Sequence, residues 1–205
     1  MVVVLQLLGS FIRFGMFSIS LVLIPIVIGA ALCGTGAGAW LGLAFGITVL
    51  ISGDAAAFLA VDPFGTVLTV LVKGTAAGYL AGLIYKVFAG LCDSWKEKLQ
   101  PLKSSKLEKA RELTLKYLPV ICAAVVCPIV NTGIFLIGCN LFFYDTVASW
   151  GEALGYESAA KYIILGLVGG NFLFELLFNV LLSPTIVRVL DIFSHKFSEK
   201  RSSAK

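Results

Sequence analysis

Charge and histidine are the scarce ingredients of this sequence. Lys, Arg, Asp and Glu together make up 14% of its 205 residues, against about a quarter in soluble globular chains. That is too little charge to coat a water-facing surface. The one histidine, His195, lies near the C-terminus, and Cys122 and Cys127 are not at metal-ligand spacing. A histidine-based metal site is therefore excluded, and no cofactor is expected. There is no Gly-x-Ser-x-Gly, no His-Glu-x-x-His and no glycine loop ahead of Lys-Ser/Thr, so nothing points to an enzyme, or to ATP handled by this chain alone. The five cysteines, Cys33, Cys92, Cys122, Cys127 and Cys139, are odd in number and mostly sit in apolar runs. They read as buried free thiols rather than a disulfide framework.

What remains is apolar. Hydrophobic residues reach 59% and the mean hydropathy is +0.96, more than a soluble core of this size can hide. The chain reads as an all-α integral membrane protein in contact with lipid, with room for five or six spans at about 20 apolar residues each and no soluble domain besides. Six apolar segments can be traced: residues 1–12, ending before Arg13, then 18–33, 36–52, 64–91, 113–143 and 160–190. The first is too short to span and lacks a basic signal-peptide start; it is expected to be a helix whose beginning is missing. Residues 1–193 read as one transmembrane domain, and 194–205 as a frayed basic tail.

The charges orient the bundle. Lys96, Lys98, Lys103, Lys106, Lys109, Arg111 and Lys116 cluster between the fourth and fifth segments, and Arg188, Lys196, Lys200, Arg201 and Lys205 follow near the end. Residues 53–63 and 144–159 carry Asp54, Asp62, Asp145, Glu152 and Glu157 with no Lys or Arg. By the positive-inside rule the basic stretches are cytoplasmic and the acidic loops external, so six spans put both termini inside. Net charge +4 thus reflects topology and does not call for a nucleic-acid partner. The connector 94–116 reads as a helix-prone solvated stretch or a docking surface for a soluble partner.

Within the membrane, two patterns stand out. Gly34, Gly38, Gly42 and Gly46 recur every fourth residue, as do Gly74, Gly78 and Gly82; such faces let helix backbones approach closely, within the bundle or against another subunit. Ionisable residues inside spans are costly and default to functional candidates. Here they are Lys73 and Glu175, surrounded by Thr66, Thr69, Thr75, Asn131 and Thr132, with Asn171, Glu175 and Asn179 on one helical face. Lys73 and Glu175 form either a structural pair or the poles of a polar pocket. Arg13, among aromatic residues at the external end of the first segment, either snorkels or offers a bidentate donor to a ligand carboxylate.

Three stretches are similar to a known family. Asp62-Pro-Phe-Gly65 leading into Val72-Lys-Gly-Thr-Ala-Ala-Gly-Tyr-Leu-Ala-Gly-Leu-Ile-Tyr-Lys86 resembles the fourth helix of the S components of energy-coupling-factor (ECF) transporters. Cys127-Pro-Ile-Val-Asn-Thr-Gly-Ile-Phe135 resembles their fifth, and Asn171-Phe-Leu-Phe-Glu-Leu-Leu-Phe-Asn179 with Pro184-Thr-Ile-Val-Arg188 their sixth. The resemblance implies a multi-pass plasma-membrane subunit that captures a vitamin externally. It would work with a transmembrane scaffold subunit and two cytoplasmic ATPases, and topple to release its substrate inside. By position, Arg13, Lys73, Asn131 and Asn171 would line or border the pocket. The small-residue Ala-x-x-x-Ala face that members use for scaffold docking is not found in the first segment, which puts docking in question.

The expected substrate-binding set is therefore Arg13, Lys73, Asn131, Thr132, Asn171 and Glu175. Two cations and several amides suit a small polar monoanion, since an unpaired carboxylate in the bundle is costly. Pantothenate, with one carboxylate, two hydroxyls and an amide, is the leading expectation; the alternatives are a neutral vitamin such as pyridoxine, or a different vitamin that carries a carboxylate. From other classes, a membrane-embedded enzyme acting on lipids or peptides would need a nucleophile, base or metal within the bundle, where the sequence offers only Glu175 and Lys73 without an obvious partner set, and an accessory structural subunit would hold no ligand.

Overall fold

The computed structural model describes residues 1–11, 13–14, 17–18, 22–99 and 104–202, with side chains at 1–7, 22–99, 104–170 and 172–192. In chain order it contains α1 (Val2–Phe11), a short antiparallel ribbon of β1 (Arg13–Phe14) and β2 (Phe17–Ser18), α2 (Leu23–Cys33), α3 (Thr35–Ser52), α4 (Ala56–Leu59) and α5 (Pro63–Lys98). These are followed by α6 (Ser105–Phe142), α7 (Tyr144–Ala153), α8 (Ala159–Lys161), a π-helical stretch Tyr162–Gly169, α9 (Gly170–Leu181) and α10 (Ser183–Ser202).

Four helical stretches among the described residues are long and apolar enough to cross a membrane: Thr35–Ser52, Pro63–Lys98, Ser105–Phe142 and Ala159–Leu181. Of the six segments expected, the first two form shorter helices of 10 and 11 residues. The second starts at Leu23 rather than at residue 18, because Ser18 pairs in the ribbon. The connector 94–116 is mostly helix, since α5 and α6 run into it from both sides. The sixth segment is divided at Leu182, ahead of Pro184, which has no N–H to continue the ladder. Its last part, α10, stays helical to Ser202, through the stretch expected to fray from residue 194.

Local chemistry explains where the central helix begins. Asp62 is extended (φ −142°) and its side chain accepts from the Gly65 N–H at 3.0 Å, while Pro63 occupies the first helical position. Such an N-cap meets one of the orphan donors of the first turn, and proline costs nothing there.

α5 runs antiparallel between α3 and α6, and the glycines set how close it comes. A Cβ on Gly42 would lie 2.0 Å from the Gly74 carbonyl oxygen, and one on Gly38 would lie 2.3 Å from that of Gly78. Only glycine permits this backbone contact. The four-residue glycine spacing is thus used inside the bundle, between α3 and α5. On the other side of α5, Gly138 of α6 packs against Thr69. Gly34 (φ 90°) alone joins α2 to α3, folding them into a hairpin with Ala30 against Gly38.

The main core draws on α2, α3, α5, α6 and α10 through Ile26, Val27, Phe45, Val70, Ala77, Val120, Ala123 and Ile186. A second cluster of Phe143, Val147, Tyr162 and Ile163, with Phe58, Trp150 and Tyr156 against it, closes the end where α4 and α7 lie. Outward-facing side chains such as Trp40, Ile51, Leu141 and Leu181 are largely exposed; an apolar exterior of this extent faces lipid. The chain is a multi-helix membrane bundle.

Candidate functional site

At the α4 end of the bundle lies a cavity of about 190 Å³. α5 contributes Thr66, Thr69 and Lys73 at three- and four-residue steps, hence from one face; α6 contributes Asn131, Thr132 and Phe135; α9 contributes Phe172 and Glu175. Gln6 of α1 and Asp54, just beyond α3, complete the polar part, and Phe45, Phe58 and Phe143 add to the aromatic part. The π-helical stretch supplies Leu167 and Val168; π segments recur at functional sites.

Four of the six residues expected at the site, Lys73, Asn131, Thr132 and Glu175, share this one cavity. The side chains of Arg13 and Asn171 lie outside the described residues. The Arg13 backbone belongs to the ribbon, whose second strand rests against α1 and α9. Thr75, grouped with Lys73 by sequence, instead lies on a surface groove with Ala39, Val72 and Tyr79. Asn179 does not line the cavity; its Nδ2 donates to the Glu175 main-chain carbonyl at 2.7 Å, its main-chain carbonyl accepts from Ser183 Oγ at 3.0 Å, and its Oδ1 is buried with no partner among the described residues. Gln6, Asp54 and the phenylalanine walls escaped the sequence reading.

Lys73 Nζ sits 5.0 Å from the centroid of the Phe135 ring, a cation–π contact that partly offsets loss of water. Among the described residues no carboxylate oxygen comes within ion-pair distance of it, so Lys73 and Glu175 share the cavity without a direct pair. Asp54 is held by Gln6 Nε2 at 2.8 Å and Ser52 Oγ at 2.9 Å.

Three cavity residues carry buried oxygens with no hydrogen-bond partner among the described residues: Gln6 Oε1, Thr69 Oγ1 and Asn131 Oδ1. Buried polar atoms in native proteins are nearly always paired, and each one left unpaired costs about 1–3 kcal/mol. Three of them lie around one cavity, beside the Lys73 ammonium, so the described residues leave polar atoms of this wall unsatisfied.

The described residues thus form an apolar bundle that encloses a polar cavity near one end. The family model for the substrate-specific component of ECF transporters matches residues 1–187. The chain belongs to this family, whose members are membrane-embedded transporter subunits. No curated protein and no solved structure matches it.

Proposed function

We propose that this chain captures a small water-soluble vitamin at the external face of the plasma membrane and passes it inward with an ECF module of one transmembrane scaffold subunit and two cytoplasmic ATPases. In this reading both termini and the basic 94–116 connector are cytoplasmic, and the cavity lies in the outer half of the bundle. The observation that carries it is the set of oxygens on Gln6, Thr69 and Asn131, unpaired among the described residues, around the cavity that also holds Lys73.

Those groups constrain the solute. Carbonyl oxygens need donors, and an ammonium needs an anion or a π face. The described ionisable groups of the wall are Lys73, Asp54 and Glu175, so an anionic solute also calls on Arg13 at the ribbon. The cavity is smaller than the roughly 300 Å³ at which drug-sized sites begin. Pantothenate, with its carboxylate, hydroxyls and amide, matches this demand best. The many phenylalanine rings of the wall favour a second candidate, pyridoxine, a flat ring bearing hydroxyls. Titration calorimetry of the solubilised chain with each vitamin tests the assignment: binding of pantothenate in preference to pyridoxine supports the first, and the reverse order the second.

A further inference from the structure

Gln6 is 3% exposed in the cavity wall. Its Nε2 donates to Asp54 Oδ2, which also accepts from Ser52 Oγ. An ionised carboxylate only accepts, so the nitrogen end of the Gln6 amide is committed to Asp54 and the oxygen end is turned away from it. Asp54 is held in turn, directly after the left-handed Gly53 (φ 84°) that terminates α3. The Gln6 oxygen is left buried with no donor among the described residues. A methionine would fill the same space without leaving an acceptor unpaired.

We propose that Gln6 is a specificity-determining residue whose side-chain oxygen accepts a hydrogen bond from an O–H or N–H of the captured solute, with Asp54 as the positioning residue that sets which end of the amide is presented. This rests on the cavity being the capture site and narrows what it takes. Solutes that carry a donor at that point are selected over isosteres without one, because the isostere leaves the Gln6 oxygen desolvated and unpaired. Anions that offer only acceptors, such as simple dicarboxylates, are rejected on the same ground.

The test is calorimetry on the full chain in detergent. The probes are pantothenate, pyridoxine and the analogues of each that lack a single hydroxyl. The unaltered protein is expected to bind at least one of the vitamins and to lose about 10-fold or more in affinity when one particular hydroxyl is removed. In Gln6→Met that loss shrinks to about 3-fold or less, whereas Lys73→Met retains it. Asp54→Asn, whose amide can donate or accept, frees the Gln6 amide to turn and reduces the same discrimination. A purely structural role for either residue would lower affinity for vitamin and analogue alike and leave their ratio unmoved. Should Gln6→Met fail to fold, Asp54→Asn alone decides by that ratio. Binding with an unchanged ratio in the variants overturns the role of Gln6 and leaves the capture reading standing. No binding of either vitamin to the unaltered protein overturns both.

Discussion

The ammonium of Lys73 faces the ring of Phe135 at 5.0 Å across a cavity that also contains Glu175 and Asp54. In the proposed capture reading, this lysine pairs with the anionic group of the solute. Truncating one member of a desolvated charge pair costs about 2–5 kcal/mol, or roughly 30-fold to several thousand-fold in affinity. Pantothenate affinity is therefore expected to fall by that range in Lys73→Ala, read by calorimetry on folded protein. Comparison with Lys73→Ala plus Glu175→Gln separates two effects: the double variant should recover thermal stability but not binding. Recovery of both would make the lysine structural.

Arg13→Ala is expected to weaken pantothenate binding by a similar range with little loss of thermal stability, since Arg13 lies in a two-residue strand outside the helical core. Unchanged affinity both here and in the folded double variant would mean that the solute is neutral, and would favour pyridoxine.

The glycine contact between α3 and α5 makes a sharper stability prediction. Gly42→Ala places a methyl 2.0 Å from a backbone carbonyl that has no room to retreat, while Gly36→Ala on the same helix meets nothing within 4 Å. Overpacking of this kind costs about 1–3 kcal/mol. Thermal unfolding in detergent should show a lowered midpoint for Gly42→Ala and an unchanged or higher one for Gly36→Ala. Equal midpoints would refute the close-contact account.

These elements also show what the residues reveal before folding. The glycine faces were legible because a four-residue repeat in an apolar run has few uses. Lys73, Asn131, Thr132 and Glu175 were legible because polar groups in lipid are costly wherever they point. The aromatic wall was not: Phe45 is 3% exposed and Phe64 73%, yet both are phenylalanines in apolar runs. Gln6 and Asp54 were missed because their meaning lies in a contact between residues 48 positions apart. Thr75 was misgrouped because two steps along a helix from Lys73 turn a side chain to another face.

Orientation can be read by chemistry at two exposed serines. In a chain whose native cysteines are replaced, a membrane-impermeant thiol reagent applied to intact cells should label a cysteine placed at Ser149 and spare one at Ser104. Reversed labelling would invert the topology and place the cavity at the cytoplasmic face.

Trp150 offers a direct optical report. Its ring stands 5.5 Å from that of Phe58, edge to face, and Phe58 lines the cavity. With Trp40 and Trp95 replaced by phenylalanine, saturating pantothenate should change the remaining emission. Binding by calorimetry without any change in emission would place the solute elsewhere.

Whether the cavity holds a small polar solute can be read by denaturing the purified chain and identifying what it releases by mass spectrometry, beside a folded Thr132→Trp variant whose indole fills the space. Close to one equivalent of a small hydroxylated or amide-bearing vitamin is expected from the unaltered protein and none from the variant. Release of the same molecule in equal amount from both would contradict that expectation.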